Sequence, residues 1–137
     1  MLDTNVVSEL RKAGFGRADR NVAAWADCVA PDTLFLSVIV VQELEIGILR
    51  LERKDPATAS GLRIWLNDRV LPAFSGRIMP VDLAVARLAA GLQVPVSRPE
   101  WDCWIAATAL VHGLAVVTRN TADFVPMGVP VVNPWTA

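Results

Sequence analysis

Four acids in this chain have the types and placement from which a carboxylate site could be built: Asp3, Glu43, Asp102 and Asp123. Asp3 follows the short apolar start Met1-Leu2. Glu43 falls in the first turns of a helical stretch, just after the β-favouring run Leu34-Phe35-Leu36-Ser37-Val38. Asp102 lies in the first turn of a helix opened by Pro99, and Asp123 follows the strand-like segment Ala115–Thr118. Each acid alone has a plain structural reading. Asp3 serves as a helix N-cap, and Glu43 as an exposed helix charge, a role equally open to Glu45. Asp102 complements a helix dipole, and Asp123 is an ordinary loop acid.

Local pattern weakens two of those readings. Glu43 is flanked by Val40, Val41, Leu44 and Ile48, so it borders an apolar stripe. Gly47, one turn later, costs about 1 kcal/mol of helix propensity, which implies close backbone packing there. Asp102 shares a face with Ile105 and Ala106, with Trp101 and Trp104 beside it. An unpaired acid on a packed face is costly, and converging carboxylates raise one another's pKa. A hard divalent cation relieves both penalties, and an oxygen-only donor set suits Mg²⁺ or Mn²⁺. A cation of that kind, holding a phosphodiester and a water, supplies Lewis-acid and nucleophile-activating catalysis.

The elements that must position these acids alternate along the chain. A short helix is expected over Asn5–Lys12, a loop over Ala13–Arg20 and a second helix over Asn21–Val29, stopped by Pro31. The run Leu34–Val38 reads as a strand buried on both faces. Helices follow over Val40–Lys54 and Pro56–Leu71, the latter with Leu62, Ile64, Trp65, Leu66 and Val70 on and around its apolar face. A strand over Ile78–Val81 leads into a helix over Asp82–Gly91 closed by the glycine. After the loop Val94–Arg98, a helix runs from Pro99 to about His112 with Gly113 as its stop. Strands are expected at Ala115–Thr118 and Pro130–Asn133, with a turn or short helix over Asn120–Phe124 between them. Strands alternating with helices imply an α/β fold, a mostly parallel sheet covered on both faces. Ligands in such folds bind at the carboxyl ends of the strands, where these acids fall.

Composition narrows the class. One domain of 137 residues is long enough to bury a single core. With 53% hydrophobic residues, long disorder is excluded and some apolar surface is left for a partner. The longest apolar run, Leu34 to Val41, is far short of the ~20 residues of a membrane span. The N-terminus lacks the pattern of a signal peptide. Cys28 and Cys103 are too few and too far apart for a disulfide scaffold or a zinc site, and read as reduced, half-buried thiols of a cytoplasmic protein. The net charge of −1 argues against a nucleic-acid partner only while all acids are counted. With the four site acids set aside, 13 basic residues face ten acidic ones, and eleven of the 13 are arginines, the better shape for phosphate.

These residues resemble the PIN-domain ribonucleases, specifically the VapC-type toxins of bacterial type II toxin–antitoxin pairs. Four blocks carry the resemblance, in the family's order and spacing. They are Leu2-Asp3-Thr4-Asn5 with Val6-Val7-Ser8-Glu9-Leu10 behind it; Ser37 through Glu43-Leu44 to Gly47; Asp102-Cys103-Trp104-Ile105-Ala106-Ala107-Thr108-Ala109; and Val117-Thr118-Arg119-Asn120-Thr121-Ala122-Asp123-Phe124. The resemblance implies a three-layer α/β/α sandwich and Mg²⁺- or Mn²⁺-dependent endonucleolytic cleavage of RNA. It makes Asp3 and Asp102 the main metal ligands, with Glu43 orienting the metal-bound water and Asp123 completing the pocket. It assigns support by hydrogen bonds to Thr118 and Asn120, and to Thr4 or Asn5. Arg119 is a candidate for RNA phosphate, equally readable as an outward-facing arginine at a strand end. The partners it implies are an RNA substrate, a cognate antitoxin, and a second copy of the chain within a larger assembly. Two departures stand out. Only Met1 and Leu2 precede Asp3, so the first strand is two residues long or the start lies upstream, and Cys103 replaces a commonly apolar residue.

Other classes fit less well. His112, the only histidine, lies near a helix end where dipole pairing is the default. No Walker loop, GxGxxG or zinc-spaced set is present. The tryptophans Trp25, Trp65, Trp101, Trp104 and Trp135 read mostly as core or partner-facing. A non-catalytic Mg²⁺-binding receiver-like signalling domain matches the length and the acidic pocket, but needs a lysine at a strand end, and only Lys12 and Lys54 exist. A haloacid-dehalogenase-like phosphatase needs a second aspartate two residues after Asp3, where Asn5 stands.

Overall fold

The structure, a computed structural model, describes residues 1–137. The strands are short and parallel. β1 (Leu36–Ser37) pairs with β2 (Ile78–Met79), and β3 (Val116–Val117) with β4 (Val131–Val132). The segment Met1–Asp3 joins the two pairs. Leu2 bridges Val117 in parallel, and its N–H donates to the Phe35 carbonyl on the other side. The hydrogen-bonded order across the molecule is therefore β2, β1, Met1–Asp3, β3, β4. Numbered along the chain, that is third, second, first, fourth, fifth. The direction of winding reverses between Met1–Asp3 and β3, which is where an open parallel sheet leaves its crevice.

Both residues of β1 and both of β3 are buried. Successive strand residues point to opposite faces, so helices must cover the sheet on both sides. The covered parallel sheet is what the alternation implied, and the α/β/α sandwich what the resemblance implied. The apolar centre includes Leu2, Leu36, Ile105, Val116 and Phe124, all fully buried. A side chain of that kind contributes about 1.5–3 kcal/mol by leaving water.

The helices are α1 (Thr4–Ala13), α2 (Arg20–Cys28), α3 (Val38–Glu52), α4 (Pro56–Trp65), α5 (Leu71–Ala73), α6 (Leu83–Leu92), α7 (Glu100–Val111) and α8 (Thr121–Phe124). Side-chain caps explain most starts. Asp3, Asp19, Ser37, Asp55 and Asp82 each accept a backbone N–H of the turn that follows. Gly113, at φ +66, turns the chain out of α7 into β3. No helix is long and apolar enough to cross a membrane.

Several local expectations are corrected. The strands are shorter than their apolar runs because Ser37 caps α3, so Val38 is already helical and exposed. The helix expected over Pro56–Leu71 passes through a π-helical turn at Leu66–Val70 before α5, and Ile64 points outward at 57% exposure. Gly91 lies inside α6, which ends at Leu92 with Gln93 as its C-cap. Gly47 is exposed, with open space where a Cβ would stand, so no close approach explains it. Of the two free thiols, Cys28 is exposed, while Cys103 is buried and its pKa is pushed up by that burial.

Candidate active site

Asp3 is the last residue of the central strand segment and the N-cap of α1, so the cap reading and the site reading are both met. It is 6% exposed. Oδ1 accepts the Thr4 N–H at 2.8 Å. Oδ2 accepts the Thr118 hydroxyl at 2.7 Å and the Asn5 amide at 3.4 Å. Thr118 stands at the carboxyl end of β3, across the reversal of winding. Its Oγ1 in turn accepts the Asn120 N–H at 3.0 Å and the Asn5 amide at 3.3 Å. The Arg119 N–H donates to Asn5 Oδ1 at 3.4 Å. A buried carboxylate is thus tied into a closed polar network, as its desolvation requires. The support assigned to Asn5 and Thr118 is made by side chains, while that of Asn120 and Thr4 comes from backbone N–H groups.

The other three acids are carried by helices close enough for charge coupling with Asp3 or Asp102. Glu43 is half-buried on α3, Asp102 half-buried in the first turn of α7, and Asp123 exposed in the first turn of α8. Burial raises the Asp3 pKa, the Thr118 and Thr4 hydrogen bonds oppose that, and the Asp123 charge adds to it. Burial also raises Glu43, the nearby Thr4 hydroxyl offsets part of the effect, and the charges of Asp3 and Asp102 raise it further. Asp102 is pushed up to about 6 by burial and by the charges of Asp3 and Asp123. Asp3 and Asp102 therefore lie within electrostatic reach of each other and of both Glu43 and Asp123.

They do not meet at a point. No three Asp, Glu, His or Cys side chains stand at metal-ligating separation. A hard cation that keeps several waters and takes one or two carboxylates directly is compatible with that spacing, whereas an all-protein cage is not. The Thr4 hydroxyl points the same way. Although near Glu43, it makes no well-formed hydrogen bond and is the chain's unpartnered buried side-chain oxygen. Oxygen-only donors, charge repulsion and this orphan oxygen are chemistry that suits a hard cation such as Mg²⁺ or Mn²⁺.

The lysine that a receiver domain needs is missing from the pocket: Lys12 pairs with Glu9 at 3.0 Å, and Lys54 is exposed beyond α3. His112 is exposed at the end of α7, as its helix-end reading implied. All five tryptophans are partly buried and pack against the core. Sequence reasoning missed what one of them does: the Arg119 guanidinium lies over the Trp135 ring, 5.3 Å from its centre. No short-range pattern signals that pairing, because the two residues meet only through the fold.

Fold and site together define a parallel α/β protein with a carboxylate pocket at its topological switch point. The chain belongs to the PIN domain family, which it matches over residues 1–125. It is 41% identical to the VapC ribonuclease Y4jK of Sinorhizobium fredii, across 98% of this chain and 96% of that one. It is 36% identical to the toxin FitB of Neisseria gonorrhoeae, across 98% and 97% of the two chains. The crystal structure of FitAcB from Neisseria gonorrhoeae superposes with a TM-score of 0.89 at 35% identity, covering 99% of this chain and 98% of that one.

Proposed function

We propose that this chain is a Mg²⁺- or Mn²⁺-dependent endoribonuclease and the toxin of a toxin–antitoxin pair. The observation that carries the reading is the group of acids around the switch point, where burial raises the pKa of Asp3, Glu43 and Asp102 and the Asp3 charge raises the latter two further. Near full-length similarity to a VapC ribonuclease and to a toxin supports the substrate class and the biological role. Asp3 and Asp102 would hold the cation, which when bound supplies Lewis-acid stabilisation of a phosphodiester and a more acidic water. Glu43, whose pKa burial raises, would serve to orient that water. Thr118 and Asn5 keep Asp3 in one orientation through the transition state.

The partner of a toxin is its antitoxin, and the structure offers that partner a surface. A groove of about 390 Å³ runs between the end of α1 and α4, lined by Phe15, Leu62, Ile64 and Trp65 and flanked by Arg11 and Arg69. Its chemistry suits an amphipathic segment with apolar anchors and acidic flanks. Homodimers within a larger toxin–antitoxin assembly complete the proposal. The test is cleavage of bulk tRNA and rRNA by antitoxin-free protein with Mg²⁺, Mn²⁺ or EDTA, alongside Asp3→Asn. Metal-dependent cleavage that the variant lacks establishes the reading. Absence of cleavage under every metal, or equal cleavage by the variant, overturns it.

A further inference from the structure

Beside the carboxylate pocket lies a second arrangement that none of the four acids takes part in. Arg119 follows Thr118 at the end of β3 and is exposed. Its guanidinium lies over the indole of Trp135 at 5.3 Å. The side chain makes no hydrogen bond and no salt bridge within the chain, so all its N–H donors are unspent. Three other arginines are committed: Arg63 to Glu45 and Glu52, Arg77 to three backbone carbonyls, Arg98 to the Leu92 carbonyl. Glu9 is close enough for Arg119 to lower its pKa, yet its oxygens are taken by the Asp19 N–H and by Lys12.

The backbone that carries the indole beneath Arg119 is anchored, although it lies two residues from Ala137. The Trp135 backbone N–H donates to Asn133 Oδ1 at 3.0 Å, and its backbone carbonyl accepts the Asn21 side-chain amide of α2 at 2.6 Å. Chain ends without such ties are ordinarily loose. The Arg119 backbone is tied as well, through Asn5, the same side chain that reaches Asp3. Ring, guanidinium and Asp3 are therefore connected through Asn5 and the anchored backbones of Arg119 and Trp135.

We infer that Arg119 and Trp135 form a phosphate clamp for the RNA strand next to the cleaved bond, in which Trp135 is a positioning residue. A guanidinium stacked on an indole keeps its plane and directs its donors outward at the edge, the geometry a phosphate accepts in bidentate fashion. A free arginine loses more side-chain freedom on binding, so the ring improves affinity without touching the substrate. The inference rests on the ribonuclease reading and adds to it a substrate contact and the residue that orients it. An acidic protein partner would meet the same guanidinium. RNA is favoured because Arg119 is joined through Asn5 to the carboxylate network.

The test uses a fluorescently labelled single-stranded RNA, with binding followed by anisotropy in EDTA over a series of salt concentrations. Cleavage is measured separately with Mn²⁺. Trp135→Leu and Arg119→Ala are each expected to weaken binding about threefold to tenfold and to raise KM with little change in kcat. Arg119→Ala lowers the log–log salt slope by about 0.7, the loss of one phosphate contact on a single strand. The double variant is no worse than Arg119→Ala, because the ring acts only through the arginine. Trp135→Phe retains a ring face and recovers most of the loss, which separates positioning from folding. An unchanged salt slope in Arg119→Ala, or additive losses in the double variant, overturns the clamp while leaving metal-dependent cleavage intact. Loss of binding to the cognate antitoxin with RNA binding unchanged overturns it as well. A wild type that neither binds nor cuts RNA overturns both the clamp and the nuclease.

Discussion

Asp3 and Asp102 face one pocket, yet the protein treats them differently. Asp3 sits on the sheet, nearly buried, with both oxygens hydrogen-bonded to Thr4, Thr118 and Asn5. Asp102 sits on a helix, half-buried, with no hydrogen-bond donor on its carboxylate and a pKa pushed up to about 6. Asp123 resembles Asp102 in lacking such donors, Glu43 has only the Thr4 hydroxyl nearby, and all three are carried by helices. The strand-end half of the pocket is thus satisfied by the protein itself. The helical half keeps its lone pairs and its mutual repulsion, which a cation would relieve. Rigidity on one side and unspent charge on the other is what a site needs in order to hold a metal and still bind substrate.

Removing charge from the helical half gives the largest expected effect. Asp102→Asn should lower cleavage by about 10²–10³-fold, since a metal contributes several kcal/mol and each 1.36 kcal/mol is tenfold. Single-turnover rates in Mn²⁺ measure it, and a loss of less than tenfold would show that Asp102 is not a principal ligand. Disturbing the strand-end half comes next. Thr118→Val leaves Asp3 Oδ2, the Asn120 N–H and the Asn5 amide short of a partner, so stability should fall by about 1–3 kcal/mol. Activity should fall about 10–100-fold, as for partners that orient a ligand. Thr118→Ser should restore both, and denaturant melts with parallel rate measurements read the outcome.

The third prediction separates the halves by pH in EDTA. A carboxyl whose folded pKa is raised binds protons more readily in the folded than in the unfolded chain, so its penalty is absent below the ordinary 3.8 and complete above about 6. Asp102→Asn should therefore melt about 2–5 °C above wild type at pH 7.5 and lose that advantage near pH 4. Mg²⁺ should stabilise wild type more than the variant at pH 7.5. A melting difference independent of pH would mean that Asp102 is not strained in the metal-free protein. The smallest effect is expected at Asp123, exposed on α8. Asp123→Asn should reduce cleavage by less than about tenfold, and a loss as deep as that of Asp102→Asn would move it among the direct ligands.

The helices were legible because their signals are local. Asp82 ahead of an Ala/Leu-rich stretch, Pro99 ahead of α7 and Gly113 behind it each act within a turn or two. Element ends were less legible where two local signals overlap, as at Ser37, a strand residue by composition that caps α3 by geometry. Gly47 misled for a related reason. Its type suggests close packing, but the space beside it is set by elements distant in the sequence. Thr118 as a support for Asp3 was readable only through the motif that contains it, because their hydrogen bond crosses 115 residues.

Residue types and their spacing set which groups are available: four acids at strand ends and helix starts, oxygen donors without a zinc set, and an alternation that implies a covered parallel sheet. Tertiary structure decided what those groups became. Strand order put Asp3 beside Thr118 at the reversal of winding, and burial with mutual charge raised three of the four carboxyls. The fold also laid Arg119 over Trp135. The physical reason is one of range. Propensity and capping act over a few residues, whereas desolvation, charge coupling and stacking depend on distances that exist only once the chain has closed.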